Sequence, residues 1–248
     1  MSPVHDNTER PRVPHRIETE RLVLRCYEPA DATALQATCA RNREHLLPWL
    51  PWAEQDPQTL DEKLELVLSF RSKYDAGENS VMGIFESESG ELVGGTGLHP
   101  CGGEGPQFTR EIGYWIAAER EGRGYVSEAV RALLLVAFRH VGLLSIVVRC
   151  DPENARSRAV PERLGFVNEG LLRNTIHRAN GDLAAAYRYC MTRREYEASE
   201  AFRSWCEGPD AVRLFDALGR RLPLRCPREF SRESEPKGES RIGDEPGA

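Results

Sequence analysis

The segment between Arg110 and His140 restricts the possible folds more than any other part of this chain. Its first part, REIGYWIA, alternates in the manner of a strand, with Glu111, Gly113 and Trp115 on one face. The following EREGRGY places Gly122 and Gly124 one residue apart, directly before an apolar stretch. Glycine supplies the positive φ that a strand-to-helix turn needs. Exposed amides at a helix N-terminus also bind anions such as phosphate, and the turn by itself is compatible with both interpretations.

The apolar stretch after the glycines has the spacing of an amphipathic helix from Ser127 to His140, ended by Gly142. Its apolar stripe consists of Val130, Leu133, Leu134, Ala137 and Phe138. Strand and helix patterns alternate along the rest of the chain, and Thr59 with Glu62 forms a capping-box spacing before a further helix. The predicted order is β-α-α-β-β-β-α-β-α-β, an α/β fold built on one mixed sheet.

Composition divides the chain into three parts. Residues 1–15 are polar and proline-containing and are expected to be a disordered leader, and residues 16–198 form the predicted domain. Residues 199–248 are a C-terminal extension, with one or two short amphipathic helices expected first. Beyond Arg228 the extension is mostly Glu, Ser, Gly, Arg and Pro, a composition typical of disorder.

Charge and cysteine usage exclude several classes of protein. With 33 Lys and Arg against 39 Asp and Glu, the net charge of −6 argues against nucleic-acid binding. No apolar run approaches the length of a membrane span, and the leader lacks a signal-peptide core, so we expect a cytoplasmic protein. The seven cysteines include no C-x-x-C pair, which argues against a disulfide framework and a structural metal site.

Four motifs, taken in order, resemble one enzyme family. They are ETERLVLR, HLLPWLPW, EIGYWIAAEREGRGYVSEA and the N-x-x-S-x-x-V-P-E-R-L-G-F pattern that begins at Asn154. From Arg16 to Tyr196 the chain resembles the GNAT superfamily of acetyl-CoA-dependent N-acetyltransferases, and within it the RimJ/RimL-type enzymes that modify ribosomal proteins. The resemblance implies a mostly antiparallel mixed sheet flanked by helices, with acetyl-CoA at a splayed strand pair. It also implies acetyl transfer to a primary amine, most often a protein N-terminus, and relatives of this type are often homodimers.

The resemblance assigns the cofactor contacts to two places. Backbone amides of Trp115 and Ile116 would polarise the acetyl carbonyl, and those of the glycine turn would hold the pyrophosphate of coenzyme A. The turn residues are Gly122, Arg123, Gly124, Tyr125 and Val126.

The chain departs from the family pattern at Glu121, where Gln or Arg is usual, and at Val126, where Gly or Ala is usual. The negative side chain of Glu121 is compatible with a pyrophosphate only if it turns outward. Pro161 lies inside a predicted helix and is expected in the first turn of that helix, where its missing N–H costs nothing.

The resemblance also indicates catalytic residues, each with a structural alternative. Ser157 would protonate the leaving thiolate, and Asn154 would bind the pantetheine arm. These two residues could equally be a first-turn residue and a helix N-cap. Glu111 is the expected base for the amine, or else a strand residue at the sheet surface. His177 is the second choice for that base and the third predicted substrate residue.

Trp49 and Trp52 lie in the segment expected to cover the acceptor. We expect one of them to pack as a lid and Trp52 to lie nearer the substrate. Two other functions stay open at this point: acetylation of a small amine such as a polyamine, amino acid or antibiotic, and a module that binds acetyl-CoA without turnover. The sequence does not identify the acceptor.

Overall fold

One ten-stranded sheet organises the chain. The computed structural model describes residues 11–101, 108–177, 182–200 and 212–224. Within them the strand order is β10-β9-β1-β2-β3-β4-β5-β6-β8-β7. The strands are β1 (Arg16–Glu18), β2 (Leu22–Cys26), β3 (Ser80–Glu86), β4 (Leu92–Pro100), β5 (Thr109–Ile116), β6 (Ser145–Cys150), β7 (Val167–His177), β8 (Leu183–Thr192), β9 (Arg213–Phe215) and β10 (Arg221–Leu222).

Helices cover both faces of this sheet. They are α1 (Ala32–Arg41), α2 (Arg43–Leu46), α3 (Leu60–Asp75), α4 (Tyr125–Leu135), α5 (Ala155–Arg163) and α6 (Arg193–Ala198). Helix α4 continues into a π-helical turn over Val136–Val141, and Gly142 ends it with a φ of 83°. Thr59 caps α3 in a full capping box with Glu62, as the spacing predicts.

The main core lies between the sheet and α4. Leu98 of β4 and Ile112 of β5 point to this side and pack with Leu133 and Leu134 of α4. A smaller cluster on the other face joins Tyr27, Leu35, Val67 and Phe85 beneath α1 and α3. Strands β4 and β5 have apolar packing on both faces. The face of β5 that carries Glu111, Gly113 and Trp115 therefore lies within the protein rather than on an open sheet surface.

The fold class predicted from the sequence, a mixed and mostly antiparallel sheet flanked by helices, is confirmed. The β5–β6 pair is parallel, and the other paired strands run antiparallel. The predicted helix from Ser127 to His140 is present and begins two residues earlier, at Tyr125. Sequence patterns predict no separate strand at β7, because the segment VNEGLLRN shows no apolar face at a two-residue period.

The extension contributes strands where helices were expected. Strand β9 pairs antiparallel with β1, Leu214 lying opposite Ile17, and β10 pairs with β9. Residues 201–211 and 225–248 of the C-terminal extension lie outside the described residues, as do residues 1–10 of the predicted leader. At the end of that leader, the backbone carbonyl of Pro14 accepts a hydrogen bond of 2.6 Å from the buried Tyr74 hydroxyl. The domain boundaries themselves stay a prediction.

Candidate active site

A splay between β5 and β6 opens a groove at which several of the predicted site residues meet. The two strands pair only from Thr109–Ser145 to Glu111–Val147. Beyond Glu111, β5 follows β4 to Ile116, while β6 follows β8 to Cys150. The divergence leaves a cavity of about 630 Å³, called the β5–β6 groove below. Of the predicted residues, it is lined by Glu111, Trp115, Ile116, Glu121, Val126, Asn154, Ser157 and Trp49.

The glycine turn enters α4 in the backbone conformation that its sequence predicts. Gly122 and Gly124 have φ values of 73° and 79°, and Gly124 is the N-cap of α4. Nothing lies within 4 Å of a Cβ placed on Gly122, and one placed on Gly124 meets only Arg21, at 3.7 Å. The backbone there is open to a ligand. A helix N-terminus with open amides fits a pyrophosphate, so the site fits the phosphate end of acetyl-CoA.

Contacts from the turn before β2 and from the end of β3 hold this helix entrance in place. Glu128, in the first turn of α4, accepts hydrogen bonds from the Thr19 hydroxyl at 2.6 Å and from the Arg21 side chain at 2.7 Å. Arg21 also donates to the Arg123 carbonyl at 3.0 Å. The Tyr125 side chain is buried, and its hydroxyl donates to Glu86 at 2.5 Å. Tyr125 is therefore available to a ligand in the groove only through its backbone.

The departure at Glu121 is compensated by two basic side chains. Its carboxylate accepts from Arg156 of α5 at 2.5 Å and lies 3.5 Å from Nε2 of His45. The Glu121 side chain still lines the groove, so it does not simply turn away as the sequence reasoning required. Pairing with Arg156 removes the isolated negative charge instead.

Pro161 is not in the first turn of α5, contrary to the sequence prediction; it is the seventh of nine residues. A proline there cannot donate the helical hydrogen bond to the carbonyl four residues earlier, which belongs to Ser157. The Tyr114 hydroxyl of β5 donates to that carbonyl instead, at 2.9 Å, and accepts from the Ser157 hydroxyl at 3.3 Å. Burial raises the pKa of Tyr114, so its hydroxyl keeps its proton. Pro161 thus leaves the Ser157 carbonyl available to the Tyr114 hydroxyl, and this hydrogen bond fixes Ser157 against β5.

Asn154 takes its structural role in this structure. Its side-chain oxygen accepts from the Ser157 amide at 3.0 Å, which makes it the N-cap of α5. Cys150 lies next to this cap in the groove wall, and burial raises the pKa of its thiol to about 11. A pantetheine contact of Asn154 stays a prediction.

Glu111 lies at the fork of the two strands, where a base was expected, and it is held by Arg149 of β6. Nε of Arg149 donates to both carboxylate oxygens at 3.1 Å, and a second guanidinium nitrogen donates at 2.6 Å. The Glu111 side chain is 17% exposed. The hydrogen bonds from Arg149 fix the orientation of the Glu111 carboxylate.

A second cavity, of about 360 Å³, lies on the α1 and α3 side of β5; we call it the tryptophan cavity. Aromatic and apolar side chains form most of its wall: Tyr27, Leu35, Trp52, Phe70, Met82 and Trp115. Trp52 and Trp115 meet edge to face with ring centroids 6.0 Å apart. In the same wall, Lys63 and Asp56 form a hydrogen-bonded ion pair of 2.9 Å, with residue exposures of 1% and 3%.

The two predicted tryptophans are separated by the fold. Trp49 lines the β5–β6 groove, whereas Trp52 lines the tryptophan cavity. His177 ends β7, where its backbone pairs with that of Leu183. Thr175, two residues earlier, reaches the groove wall. The substrate roles of the three predicted residues stay predictions.

Three polar residues of the site were missed by the sequence reasoning: Tyr114, Arg149 and His99. Alternation along β5 indicates only that Tyr114 lies on the face opposite Glu111. His99 of β4 lines the tryptophan cavity with its ring next to Gly97 and Gly113. The signal that could have indicated it is the repeated glycine of VGGTGLH, because glycines in a strand leave room for a large neighbouring ring.

The described part of the chain contains neither a membrane-spanning helix nor a cluster of metal-binding side chains. None of its helices is long and apolar enough to cross a membrane. Among the same residues, no group of three or more His, Cys, Asp or Glu side chains is placed to hold a metal ion.

Comparison with known proteins agrees with this geometry. Residues 21–167 match the family model described as "Acetyltransferase (GNAT) domain". The chain is 34% identical over 184 residues to "Putative ribosomal N-acetyltransferase YdaF" of Bacillus subtilis, covering 73% of this chain and 96% of that protein. It is 28% identical over 164 residues to the [Ribosomal protein uS5]-alanine N-acetyltransferase of Escherichia coli, covering 65% and 82%.

A solved structure shows the same architecture. Mycobacterium smegmatis RimJ in complex with CoA-disulfide superposes with a TM-score of 0.70 at 25% identity, covering 81% of this chain and 98% of the other. The family match spans more than half of the chain and includes β5, the glycine turn, α4 and α5. The chain therefore belongs to the GNAT family of acetyltransferases.

Proposed function

We propose that this enzyme acetylates the α-amine of a protein N-terminus of the ribosomal-protein type. Family membership provides the reaction class, N-acetyl transfer, and the donor, acetyl-CoA. The acceptor is the proposed part. The names of YdaF and of the uS5-alanine enzyme support it, since both describe ribosomal acceptors.

The observation that carries the proposal is the wall shared by the two cavities. Leu50, Gly113, Tyr114 and Trp115 line both the β5–β6 groove and the tryptophan cavity. A donor in the groove and an acceptor in the tryptophan cavity would therefore approach β5 from opposite sides. Such an arrangement brings an amine to a thioester without passing the amine through the cofactor site.

In this proposal, the main catalytic steps fall to the following groups. Amides of the glycine turn bind the pyrophosphate, and a backbone N–H near Trp115 polarises the carbonyl, an effect worth about 3 kcal/mol of barrier. Ser157 gives its hydroxyl proton to the thiolate as the C–S bond breaks. Tyr114 orients Ser157 by donating to the Ser157 carbonyl and accepting from the Ser157 hydroxyl. Glu111 is the base expected from the sequence, although the wall of the tryptophan cavity offers a second candidate for that role.

The tryptophan cavity favours a second candidate, a small amine with an apolar or aromatic body. The cavity, with a volume of about 360 Å³ and a mostly aromatic wall, is larger than an N-terminal alanine or serine side chain would fill. The acetyl-CoA-binding module without turnover is the third possibility. A cytoplasmic location and a homodimer are further expectations of the proposal, and light scattering on the purified chain tests the latter.

An acceptor screen with purified protein separates these possibilities. Radiolabelled acetyl-CoA is offered with peptides that begin with alanine or serine, with the same peptides blocked at the N-terminus, and with polyamines and amino acids. The blocked peptides keep every lysine, so they are matched controls for side-chain acetylation. We expect label only on peptides with a free α-amine. Label confined to small amines would favour the second candidate, and tight acetyl-CoA binding without any transfer would favour the third.

A further inference from the structure

His99 occupies a position in the acetyl-transfer site that neither the glycine turn nor Ser157 explains. In the β4–β5 register it lies directly opposite Glu111, at the fork of the groove. A Cβ placed on Gly97 would lie 2.9 Å from His99 Nε2, and one placed on Gly113 would lie 3.3 Å from it. The ring therefore lies along the sheet from Glu111 toward Trp115. Glycine at these two positions makes room for it.

Asn79, in the connection between α3 and β3, fixes the protonation pattern of the ring. Its side-chain oxygen lies 2.8 Å from Nδ1 of His99. An amide oxygen only accepts, so Nδ1 carries the hydrogen of the neutral ring. The lone pair is then on Nε2, the nitrogen beside Gly97 and Gly113, in the wall of the tryptophan cavity. This is the tautomer in which an imidazole acts as a base toward a ligand in that cavity.

Burial keeps the His99 ring neutral near pH 7. Burial, the larger effect, lowers the pKa of His99 from its ordinary value near 6.5, and the Glu111 carboxylate opposes that shift. Glu111 is itself paired with Arg149. The other ionisable groups of the cavity wall are the paired Lys63 and Asp56 and three groups whose pKa values burial raises. Those three are Tyr27, Cys39 and Tyr114.

We propose that Nε2 of His99 accepts the proton that the acceptor ammonium must lose before it attacks the thioester. The ammonium N–H bond breaks, and its proton forms a bond to Nε2 and later leaves to solvent. The freed nitrogen lone pair forms the new C–N bond, the C–S bond breaks, and its electron pair leaves on sulfur. The second nitrogen proton replaces the one that Ser157 gives to sulfur. This inference rests on the proposed function only in that an amine enters the tryptophan cavity.

The inference also sharpens the substrate class. An α-amine has a pKa of about 7.7–8.0 and a lysine side chain about 10.4. The gap between the pKa of the amine and that of a histidine below 6.5 is therefore more than two pKa units smaller for an α-amine than for a lysine side chain. Proton transfer to the histidine is easier from the α-amine by that amount. A histidine base selects protein N-termini and other weakly basic amines over lysine side chains.

The test compares His99→Gln and Glu111→Gln in the full chain, with His15→Gln as the control. His15 is also a partly buried histidine with a pKa lowered by burial, and it lies outside both cavities. We expect His99→Gln to lower kcat/KM for the best amine by about 100-fold or more. It should also remove the acid limb of the pH profile and leave acetyl-CoA affinity unchanged by calorimetry. A His99→Gln enzyme within threefold of the wild type, or one that keeps the acid limb while Glu111→Gln loses it, overturns the proposal.

A measurement without turnover distinguishes this inference from the choice of acceptor. Histidine-selective ¹H–¹⁵N NMR of the wild-type chain at pH 7.5 should show His99 as the neutral Nδ1–H tautomer with a pKa below 6.5. Asn79→Ala should weaken that tautomer preference and lower kcat while KM for acetyl-CoA stays the same. A charged ring or an Nε2–H tautomer in the wild type overturns the inference even if no acceptor has been found. Failure of every peptide in the acceptor screen, by contrast, overturns only the proposed acceptor.

Discussion

Removing the Tyr114 hydroxyl should loosen Ser157, and Pro161 makes this effect measurable. In Tyr114→Phe the Ser157 carbonyl loses its donor at 2.9 Å, and the helix cannot replace it because Pro161 has no N–H. A partly buried acceptor left unsatisfied costs about 1–3 kcal/mol. For a chain of 248 residues, 2 kcal/mol corresponds to a fall in Tm of about 4–8 °C.

Restoring a helical donor should compensate for the lost hydroxyl. Pro161→Ala supplies an N–H to the Ser157 carbonyl, so Tyr114→Phe should cost about 1 kcal/mol less in that background than in the wild type. Urea unfolding of the four proteins in this double-mutant cycle measures the difference directly. We also expect Tyr114→Phe to lower kcat about tenfold, since a small displacement of a catalytic group is sufficient for such an effect.

Tyr74→Phe is the matched control for this cycle. Tyr74 is a buried tyrosine whose hydroxyl also donates to a backbone carbonyl, that of Pro14, at 2.6 Å, and it lies outside both cavities. Tyr74→Phe should lower the free energy of unfolding about as much as Tyr114→Phe does, show no coupling to Pro161→Ala, and keep the wild-type kcat. Coupling between Tyr114 and Pro161 below about 0.5 kcal/mol would refute the argument that the proline exposes the carbonyl for Tyr114.

Four further changes test other parts of the structure. Gly124→Asp should weaken acetyl-CoA binding by calorimetry about tenfold or more, since it puts a negative side chain on a φ of 79° at the helix entrance; unchanged affinity in a folded variant would contradict the pyrophosphate site. Ser157→Ala should lower kcat about 100-fold with acetyl-CoA affinity retained, and a wild-type kcat would exclude Ser157 as the acid. Lys63→Met leaves the buried Asp56 carboxylate without its cation and should cost about 3–5 kcal/mol in urea unfolding, whereas a loss below 1 kcal/mol would show that Asp56 finds other compensation. Deleting residues 229–248 should change neither Tm nor acetyl-CoA affinity, and a large loss of either would show that this segment docks on the domain.

The local features of this fold could be predicted from the sequence because each depends on neighbouring residues. The capping box of Thr59 and Glu62, the helix after the glycine turn and the stop at Gly142 are each fixed within a few residues. Alternation along β5 correctly placed Glu111, Gly113 and Trp115 on one face. The ordered motifs then indicated the family, and the structural and sequence comparisons confirm it.

Several structural roles could not be predicted, because they depend on strand register and on the angle at which β5 and β6 separate. Glu111 and Arg149 are 38 residues apart, and Tyr114 and Ser157 are 43 apart. Pro161 is expected from the sequence in the first turn of its helix, and only the fold shows that it leaves the Ser157 carbonyl to Tyr114. A single residue's shift in β4 register would move His99 to the other face of the sheet. The sequence by itself determined the local elements and the family, whereas tertiary structure decided which polar groups share a cavity, because only the folded sheet brings these distant strands to a common edge.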